Sequence, residues 1–348
     1  MRRVLPWIVG AIALLLGLLV YALVLDRGRT PPIRDASGRI VPNSVASLEW
    51  VELGAVEQSV LIRGRDRENP VVLFLHGGPG MPVMYLAHSF QRELERDFTF
   101  VHWDRRGAGR SYRGCAGPFT VRRTLEDAYE LTHLLRRRFG KRRVLLVGHS
   151  WGGYLGALAA HERPKLFLAY VGVAPATRDT ARTRAIRRRA VAERTRAKGD
   201  TAFARAVRAG ERNVTEDDLF RYGGELLGEE SFWPILWTGL RAPEYTLVDA
   251  MNVRRGVSCV GERMRYDVAD GTLEEVTDFS VPVYFFVGEH DLNTPPDASR
   301  EYFERITAPE KGFVVFERSA HFPFYEQPDR FGEELMRVYR ASAERSSK

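Results

Sequence analysis

Residues 144–153 read Val-Leu-Leu-Val-Gly-His-Ser-Trp-Gly-Gly, and they give the clearest indication of the fold class. Four apolar residues predict a short buried strand, and the pattern Gly148-x-Ser150-x-Gly152 follows at once. A helical pattern begins directly after Ser150. A strand, a tight turn and a helix in this order hold a serine hydroxyl above the edge of a sheet, at a helix N-terminus. Ser150 is therefore the candidate nucleophile.

Similar apolar runs recur on both sides of this turn. Short runs with β-branched and aromatic residues, separated by helical patterns, are typical of buried parallel strands. Residues 125–138 and 330–343 each carry apolar residues at helical spacing. The sequence thus predicts an α/β fold, with a mostly parallel central sheet flanked by helices. The predicted strands are Val71–Leu75, Phe98–Trp103, Val144–Val147, Leu168–Val173 and Val283–Val287.

About a hundred residues between Ala174 and Val281 lack this alternation of strands and helices, which indicates an inserted helical cap. Residues 27–44 are rich in Arg, Pro and Gly and are typical of a linker. The predicted organisation is an N-terminal segment (1–26), the linker (27–44), a first core part (45–175), the cap (176–279) and a second core part (280–345).

The N-terminal segment contains 22 residues without a charged side chain, from Val4 to Leu25, behind Met1-Arg2-Arg3. Such a run is long enough to cross a bilayer as a helix. No small-residue cleavage site follows it, which favours an uncleaved signal anchor. The two arginines favour a cytoplasmic N-terminus. The sequence therefore predicts a single-pass membrane protein, tethered by this helix, with its catalytic domain outside the cytoplasm.

The formal net charge of +7 comes from one stretch, because residues 178–198 hold nine basic and two acidic residues. Such a run is typical of a solvated helix face, with a surface for anionic lipid headgroups as the alternative. No zinc-finger, basic-zipper or RNP pattern accompanies it, so nucleic acid is not an expected partner. No Cys/His spacing indicates a metal site, and no cofactor is implied. Cys115 and Cys259 allow one disulfide, which the sequence alone leaves open.

A serine nucleophile needs a base that accepts its proton and a third group that orients the base. Asp291 follows the predicted strand Val283–Val287, where ligands bind in parallel sheets, and is the candidate acid. Glu289 and Asp297 are weaker alternatives. His321 is the one histidine that comes after this acid and also after a strand-like run, so it is the candidate base.

Residues 76–80 read His-Gly-Gly-Pro-Gly directly after the predicted strand Val71–Leu75. A tetrahedral intermediate needs backbone N–H donors directed at its oxyanion. Gly77 or Gly78 is placed to supply one donor and Trp151 the other.

These residues, together with Asp-Arg-Arg-Gly-Ala-Gly-Arg-Ser at 104–111, resemble the prolyl aminopeptidase branch of the α/β-hydrolases (proline iminopeptidases, peptidase family S33) over about residues 51–328. The resemblance implies the α/β-hydrolase fold with an inserted helical cap. It implies a catalytic triad of Ser150, Asp291 and His321, with Gly78 and Trp151 at the oxyanion hole and Gly77 as the alternative donor.

Members of this branch use glutamates of the cap to hold the free amine of the substrate. The sequence offers several acidic and aromatic candidates there without aligning them. The aromatic residues are interpreted as an apolar lid over the substrate, with core packing inside the cap as the equal alternative. The acidic candidates are Glu211, Glu225, Glu229 and Glu230, and the aromatic ones are Phe232, Trp233, Trp237 and Tyr245.

The sequence therefore predicts a serine hydrolase that works through an acyl-enzyme intermediate, in the manner of a prolyl aminopeptidase acting on small peptides or amides. A membrane-tethered carboxylesterase or lipase-like hydrolase is the first alternative. A non-catalytic binding module is the second, although it predicts the loss of a triad residue and all three are present. The physiological substrate and the oligomeric state are not indicated.

Overall fold

A computed structural model of the protein describes residues 27–177, 181–270 and 273–346, together with residues 10, 12, 14, 15 and 17. Eight strands form one sheet in the order β1-β2-β4-β3-β5-β6-β7-β8. The β1–β2 and β2–β4 pairs are antiparallel, and the remaining pairs are parallel. The strands are β1 (Val45–Leu53), β2 (Val56–Gly64), β3 (Val71–Leu75), β4 (Thr99–Asp104), β5 (Val144–His149), β6 (Phe167–Val173), β7 (Val283–Gly288) and β8 (Lys311–Phe316).

Helices connect the strands and cover both faces of the sheet. Short 3₁₀ turns lie at Met84–Leu86, Leu94–Arg96, Gly109–Ser111, Pro164–Leu166 and Leu273–Glu275. The α-helices of the described residues are α1 (Ala87–Phe90), α2 (Val121–Arg138), α3 (Trp151–Glu162), α4 (Ala181–Ala197), α5 (Thr201–Ala209), α6 (Glu216–Arg221), α7 (Trp233–Arg241), α8 (Leu247–Asp270), α9 (Pro296–Arg305), α10 (Pro323–Glu326) and α11 (Pro328–Ser346).

The core has two layers because side chains alternate along each strand. In β5, Val144 and Leu146 belong to the layer under α2 and α3, whereas Leu145 and Val147 belong to the layer under α11. All four side chains are almost fully buried. This explains why the strand is a continuous apolar run rather than an alternating one. The predicted α/β-hydrolase fold, with a mostly parallel sheet between helices, is confirmed.

The register of the parallel strands brings four loops to one edge of the sheet. Leu75 pairs with Gly148 across β3 and β5, and Gly288 pairs with Phe316 across β7 and β8. The loops that leave β3, β5, β7 and β8 therefore meet at the carboxyl ends of the strands, where open α/β sheets bind ligands.

Five α-helices, α4 to α8, lie between β6 and β7 and form the cap of this structure. A disulfide joins Cys115, in the loop before α2, to Cys259 on α8, with the two Cα atoms 5.7 Å apart. This bond ties the cap to the core across 144 residues of sequence, and it settles a pairing that the sequence left open.

The predicted localisation is wrong and is corrected here. A membrane span needs about 20 consecutive apolar residues in a helix, and among the described residues no helix combines that length with that apolar character. The run Val4–Leu25, on which the prediction of a signal anchor rested, lies mostly outside the described residues. Neither tethering by an N-terminal helix nor an extracytoplasmic catalytic domain is supported.

Candidate active site

Ser150 lies at the end of β5, on the turn into α3. Its backbone has φ 53° and ψ −120°, a conformation that a non-glycine residue rarely adopts and that costs about 1–3 kcal/mol. The flanking glycines permit so tight a turn. A Cβ atom on Gly148 would lie 2.2 Å from the carbonyl oxygen of Gly152, and one on Gly152 would lie 2.2 Å from that of Leu75. Close packing on both sides therefore fixes the position of the serine.

His321 and Asp291 meet in the loops that follow β8 and β7. Nδ1 of His321 lies 2.8 Å from Oδ2 of Asp291, and both residues are almost fully buried. The N–H groups of Asn293 and Thr294 donate to Oδ1 of Asp291 at 2.7 and 2.8 Å, and the Thr294 hydroxyl donates to Oδ2 at 2.7 Å. These donors hold the carboxylate in one orientation. It favours the tautomer with the proton on Nδ1, which leaves Nε2 to accept a proton.

Burial by itself would lower the pKa of His321. The charges of Asp291 and Glu225, with the hydrogen bond to Asp291 and the charge of Glu326, outweigh this effect and raise the pKa above its usual 6.5. A raised pKa makes the imidazole a stronger base once it is neutral.

Ser150 and His321 line one cavity of about 360 Å³. In the part of the chain that the structure describes, no hydrogen bond joins the Ser150 hydroxyl to His321. Hydrogen bonds of this kind often tighten only when a substrate binds. The cavity volume lies near the lower end of the range for small-molecule sites, about 300–1,000 Å³.

The glycine loop after β3 lies against the serine turn. A Cβ atom on Gly77 would lie 3.1 Å from that of Ser150, and Gly78 adopts a positive φ of 107°. Trp151 is the first residue of α3, so its N–H has no partner within the helix. The N–H groups of Gly77, Gly78 and Trp151 make no backbone hydrogen bond with other described residues. All three are therefore free to bind an anion.

Arg105 holds this loop in place through hydrogen bonds to its backbone. Its Nη2 donates to the carbonyl oxygens of His76 and Gly77 at 2.7 and 2.8 Å. The guanidinium also stacks on the Trp151 ring, 4.5 Å from the centroid, and the side chain is buried. Arg105 thus joins the two segments that carry the candidate oxyanion donors. Sequence reasoning treated it as part of a motif and gave it no role.

Comparison with known proteins shows the family to which the chain belongs. A family model described as "Alpha/beta hydrolase family" matches residues 72–334, which is more than half of the chain. The chain belongs to the α/β-hydrolase family. The hydrolase is 31% identical over 306 residues to "Probable aminopeptidase YbaC" of Bacillus subtilis, covering 84% of this chain and 96% of that protein.

Other relatives point the same way. A proline iminopeptidase of Heyndrickxia coagulans is 24% identical over 271 residues, covering 75% of this chain and 87% of that protein. The resemblance to prolyl aminopeptidases is thereby confirmed. Among solved structures, a proline iminopeptidase of Mycobacterium smegmatis has a TM-score of 0.59 at 22% identity and covers 85% of this chain and 98% of its own. A bacterial membrane phospholipase A has a TM-score of 0.64 at 19% identity and covers 99% of both chains. At these identities the two structures show the fold alone.

The cap contributes charged side chains to the cavity of this hydrolase. Glu225 is buried, lines the cavity with Ser150, and has an Oε2 atom without a hydrogen-bond partner. Burial raises its pKa to about 7. Glu216, at the start of α6, lines the same cavity, and burial raises its pKa too. Arg187 on α4 also lines it. No sequence signal singled out Glu216 or Arg187, since both stand among other charged cap residues.

Several predicted substrate-binding residues do not line this cavity. Glu229 and Glu230 are exposed, and Glu230 faces Lys198 at 3.5 Å. Trp233 and Trp237 are 66% and 53% exposed on α7. Helix α7 buries Ile235, whereas the two tryptophans are exposed. None of these four predicted residues lines the cavity of Ser150. Of the cap candidates in that prediction, Glu225 and Phe232 line the cavity.

Proposed function

We propose that this hydrolase is an aminopeptidase that removes the N-terminal residue from short peptides, with Ser150 as its nucleophile. The observation that carries the proposal is the Glu225 carboxylate, which is buried in the same cavity as Ser150 and lacks a partner for Oε2. A buried carboxylate oxygen without a hydrogen-bond partner is costly. The ammonium group of a peptide N-terminus would supply a charged donor, and Glu216 offers a second carboxylate.

In the first half of the reaction, His321 accepts the proton of the Ser150 hydroxyl as the oxygen attacks the carbonyl carbon of the first residue. Asp291 orients the imidazole and stabilises the imidazolium that forms. The N–H of Trp151 and that of Gly78, with Gly77 as the alternative, bind the oxyanion of the tetrahedral intermediate. His321 then protonates the leaving amine, which departs and leaves an acyl ester on Ser150.

In the second half, a water molecule attacks the acyl ester. His321 accepts a proton from this water and returns it to the serine oxygen as the second tetrahedral intermediate collapses. The products are the free N-terminal amino acid and the shortened peptide. The ammonium group stays bound to the cap carboxylates through both halves, which keeps the scissile carbonyl in place.

A carboxylesterase is the second candidate, and one observation favours it. A neighbouring cavity of about 380 Å³ has a mostly apolar lining and shares Met81, Tyr85, Glu216, Phe232 and Val257 with the first. Its other apolar side chains include Phe220, Leu236 and Leu240. An apolar acyl group would fit this space without needing Glu225.

The test compares three substrates on the wild-type hydrolase and on Ser150→Ala. Proline naphthylamide has a free amine, N-acetylproline naphthylamide lacks it, and nitrophenyl butyrate is an apolar ester. We expect the first to be hydrolysed at least about tenfold faster than the second, measured as kcat/KM, because the cap carboxylates bind the ammonium. Ser150→Ala should abolish turnover and fluorophosphonate labelling.

If only the ester were hydrolysed, the proposed aminopeptidase function would be overturned and an esterase function supported. Absence of labelling in the wild type would overturn the catalytic role of Ser150 and favour a binding module.

A further inference from the structure

Arg187 differs in its surroundings from the exposed arginines of helix α4. The basic run of α4 predicts a solvated face, and two of its arginines lie on one: Arg189 is exposed and pairs with Glu193 at 2.8 Å, and Arg182 is exposed and pairs with Glu301 at 2.6 Å. Arg187, in contrast, is half-buried and lines the cavity of Ser150. One cation of the run is therefore directed toward the site of reaction.

This guanidinium has unused hydrogen-bonding capacity. Its Nε is buried and has no hydrogen-bond partner, and among the described residues no salt bridge to a carboxylate engages it. The charge of Arg187 acts on Glu225: burial raises the pKa of this carboxyl group, and the positive charge of Arg187 offsets part of the increase. Glu225 and Arg187 thus influence one another across the cavity without forming a contact pair, which leaves each available to a ligand.

A ligand that satisfies both groups carries a cation and an anion. An arginine guanidinium matches a carboxylate in shape and binds it through two parallel hydrogen bonds. An unblocked dipeptide has an ammonium group at one end and a carboxylate at the other, and extended it spans about 7 Å between them. A cavity of about 360 Å³ suits so small a substrate.

We propose that Arg187 binds the C-terminal carboxylate of the substrate, so that the hydrolase prefers free dipeptides to longer or blocked peptides. This inference rests on the proposed aminopeptidase function and adds the specificity at the other end of the substrate. Arg187 contacts the leaving residue, whereas Glu225 and Glu216 contact the residue that becomes the acyl group. Removing the Arg187 side chain should therefore slow hydrolysis only of substrates that carry the C-terminal carboxylate.

The experiment measures kcat and KM for Pro-Ala, its C-terminal amide Pro-Ala-NH₂, and proline naphthylamide. The variants are Arg187→Ala and, as the matched control, Arg189→Ala, which removes the same charge from the exposed face of α4. We expect the wild type to prefer Pro-Ala to Pro-Ala-NH₂. Arg187→Ala should lower kcat/KM for Pro-Ala by about 10- to 100-fold, mainly through KM. It should change the other two substrates by less than about threefold, and Arg189→Ala should change all three by less than about twofold.

Equal hydrolysis of Pro-Ala and Pro-Ala-NH₂ by the wild type would overturn the assignment of Arg187 while leaving the aminopeptidase intact. So would a loss in Arg187→Ala that is the same for all three substrates. A preference for Glu-Ala-NH₂ over Pro-Ala-NH₂ that disappears in Arg187→Ala would assign the guanidinium to an acidic side chain and would also overturn it. Failure of the wild type to cleave any substrate with a free amine would instead overturn the proposed function itself.

Discussion

The backbone N–H of His321 donates a hydrogen bond to the backbone carbonyl oxygen of Glu225, at 3.0 Å. The candidate base and the candidate amine acceptor are thus joined directly, although one belongs to the core and the other to the cap. Two further contacts strengthen the junction. The N–H of Leu292 donates to the carbonyl oxygen of Gly224 at 3.0 Å, and the N–H of Leu227 donates to Oε1 of Glu326 at 2.7 Å. The cap segment 224–227 is therefore fastened to the loops that carry Asp291 and His321, and under the proposed function it would position the substrate amine relative to the base.

Replacing Glu225 by Gln should impair the binding of substrates that carry a free amine. The change keeps the size of the side chain and removes its charge, so kcat/KM for proline naphthylamide should fall by about 10- to 100-fold. Hydrolysis of nitrophenyl butyrate, which has no amine, should change by less than about threefold when both proteins are assayed above the midpoints of their pH profiles. Glu229→Gln is the matched control, because Glu229 is exposed and outside the cavity. An equal loss on both substrates would show that Glu225 acts through the fold or the base rather than on the amine.

The pH profile of ester hydrolysis should report His321. The reaction needs a neutral imidazole, and the pKa of His321 is raised by Asp291, Glu225 and Glu326 against the lowering effect of burial. Activity should therefore rise with pH through a midpoint above about 6.5. Glu225→Gln removes one of the negative charges that raise this pKa, so the midpoint should move to lower pH. Measuring kcat for nitrophenyl butyrate from about pH 5 to about pH 10 keeps amine binding out of the profile. A midpoint that stays in place or moves upward in the variant would contradict this account.

Arg105→Ala should lower kcat more than it raises KM. The guanidinium holds the carbonyl oxygens of His76 and Gly77 and stacks on Trp151, and these segments carry the proposed oxyanion donors. Displaced donors weaken transition-state binding, and the loss of one such donor costs about 10²–10³ in kcat, so a partial displacement should cost about 10- to 100-fold. Arg113→Ala removes a similar arginine from a tryptophan ring, Trp50, outside the cavity. It should leave kcat unchanged, and a comparable loss there would refute the positioning role of Arg105.

Reduction of the Cys115–Cys259 disulfide should destabilise the hydrolase. The bond closes a loop of 144 residues between the core and α8, and its removal should lower the free energy of unfolding by about 2–5 kcal/mol. Val257 and Gly261, on either side of Cys259, line the cavity of Ser150, so KM should rise as well. Denaturation and KM are measured with and without a reductant. The Cys115→Ser/Cys259→Ser double variant provides the control, since a reductant should have no effect on it. A wild type that is insensitive to full reduction would contradict the prediction.

The spacing of apolar and small residues along the chain predicted several strands and the candidate catalytic residues. The strands Val71–Leu75 and Val144–Val147 were identified because buried strands are short apolar runs, and Ser150 because its turn requires small residues two positions on either side. The order of strands then sufficed to select Asp291 and His321, which lie 2.8 Å apart. Local pattern also misled. The uncharged run from Val4 to Leu25 has the composition of a membrane span, and the predicted localisation based on it was wrong.

The sheet, the serine turn and the pair formed by Asp291 and His321 could thus be predicted from local sequence, because each follows from the period of a strand and the geometry of the turn after it. Which cap residues reach the cavity depends on the packing of the whole chain. The cavity is lined by Glu225, Glu216 and Arg187 but not by Glu229 or Glu230. The pairing of Cys115 with Cys259 likewise became clear only from the structure. Helix α4 carries basic residues around most of its surface, and Glu225 lies in the segment between α6 and α7, so no periodicity marks the face that packs inward. That face is fixed by contacts between residues far apart in the chain, which composition and spacing do not encode.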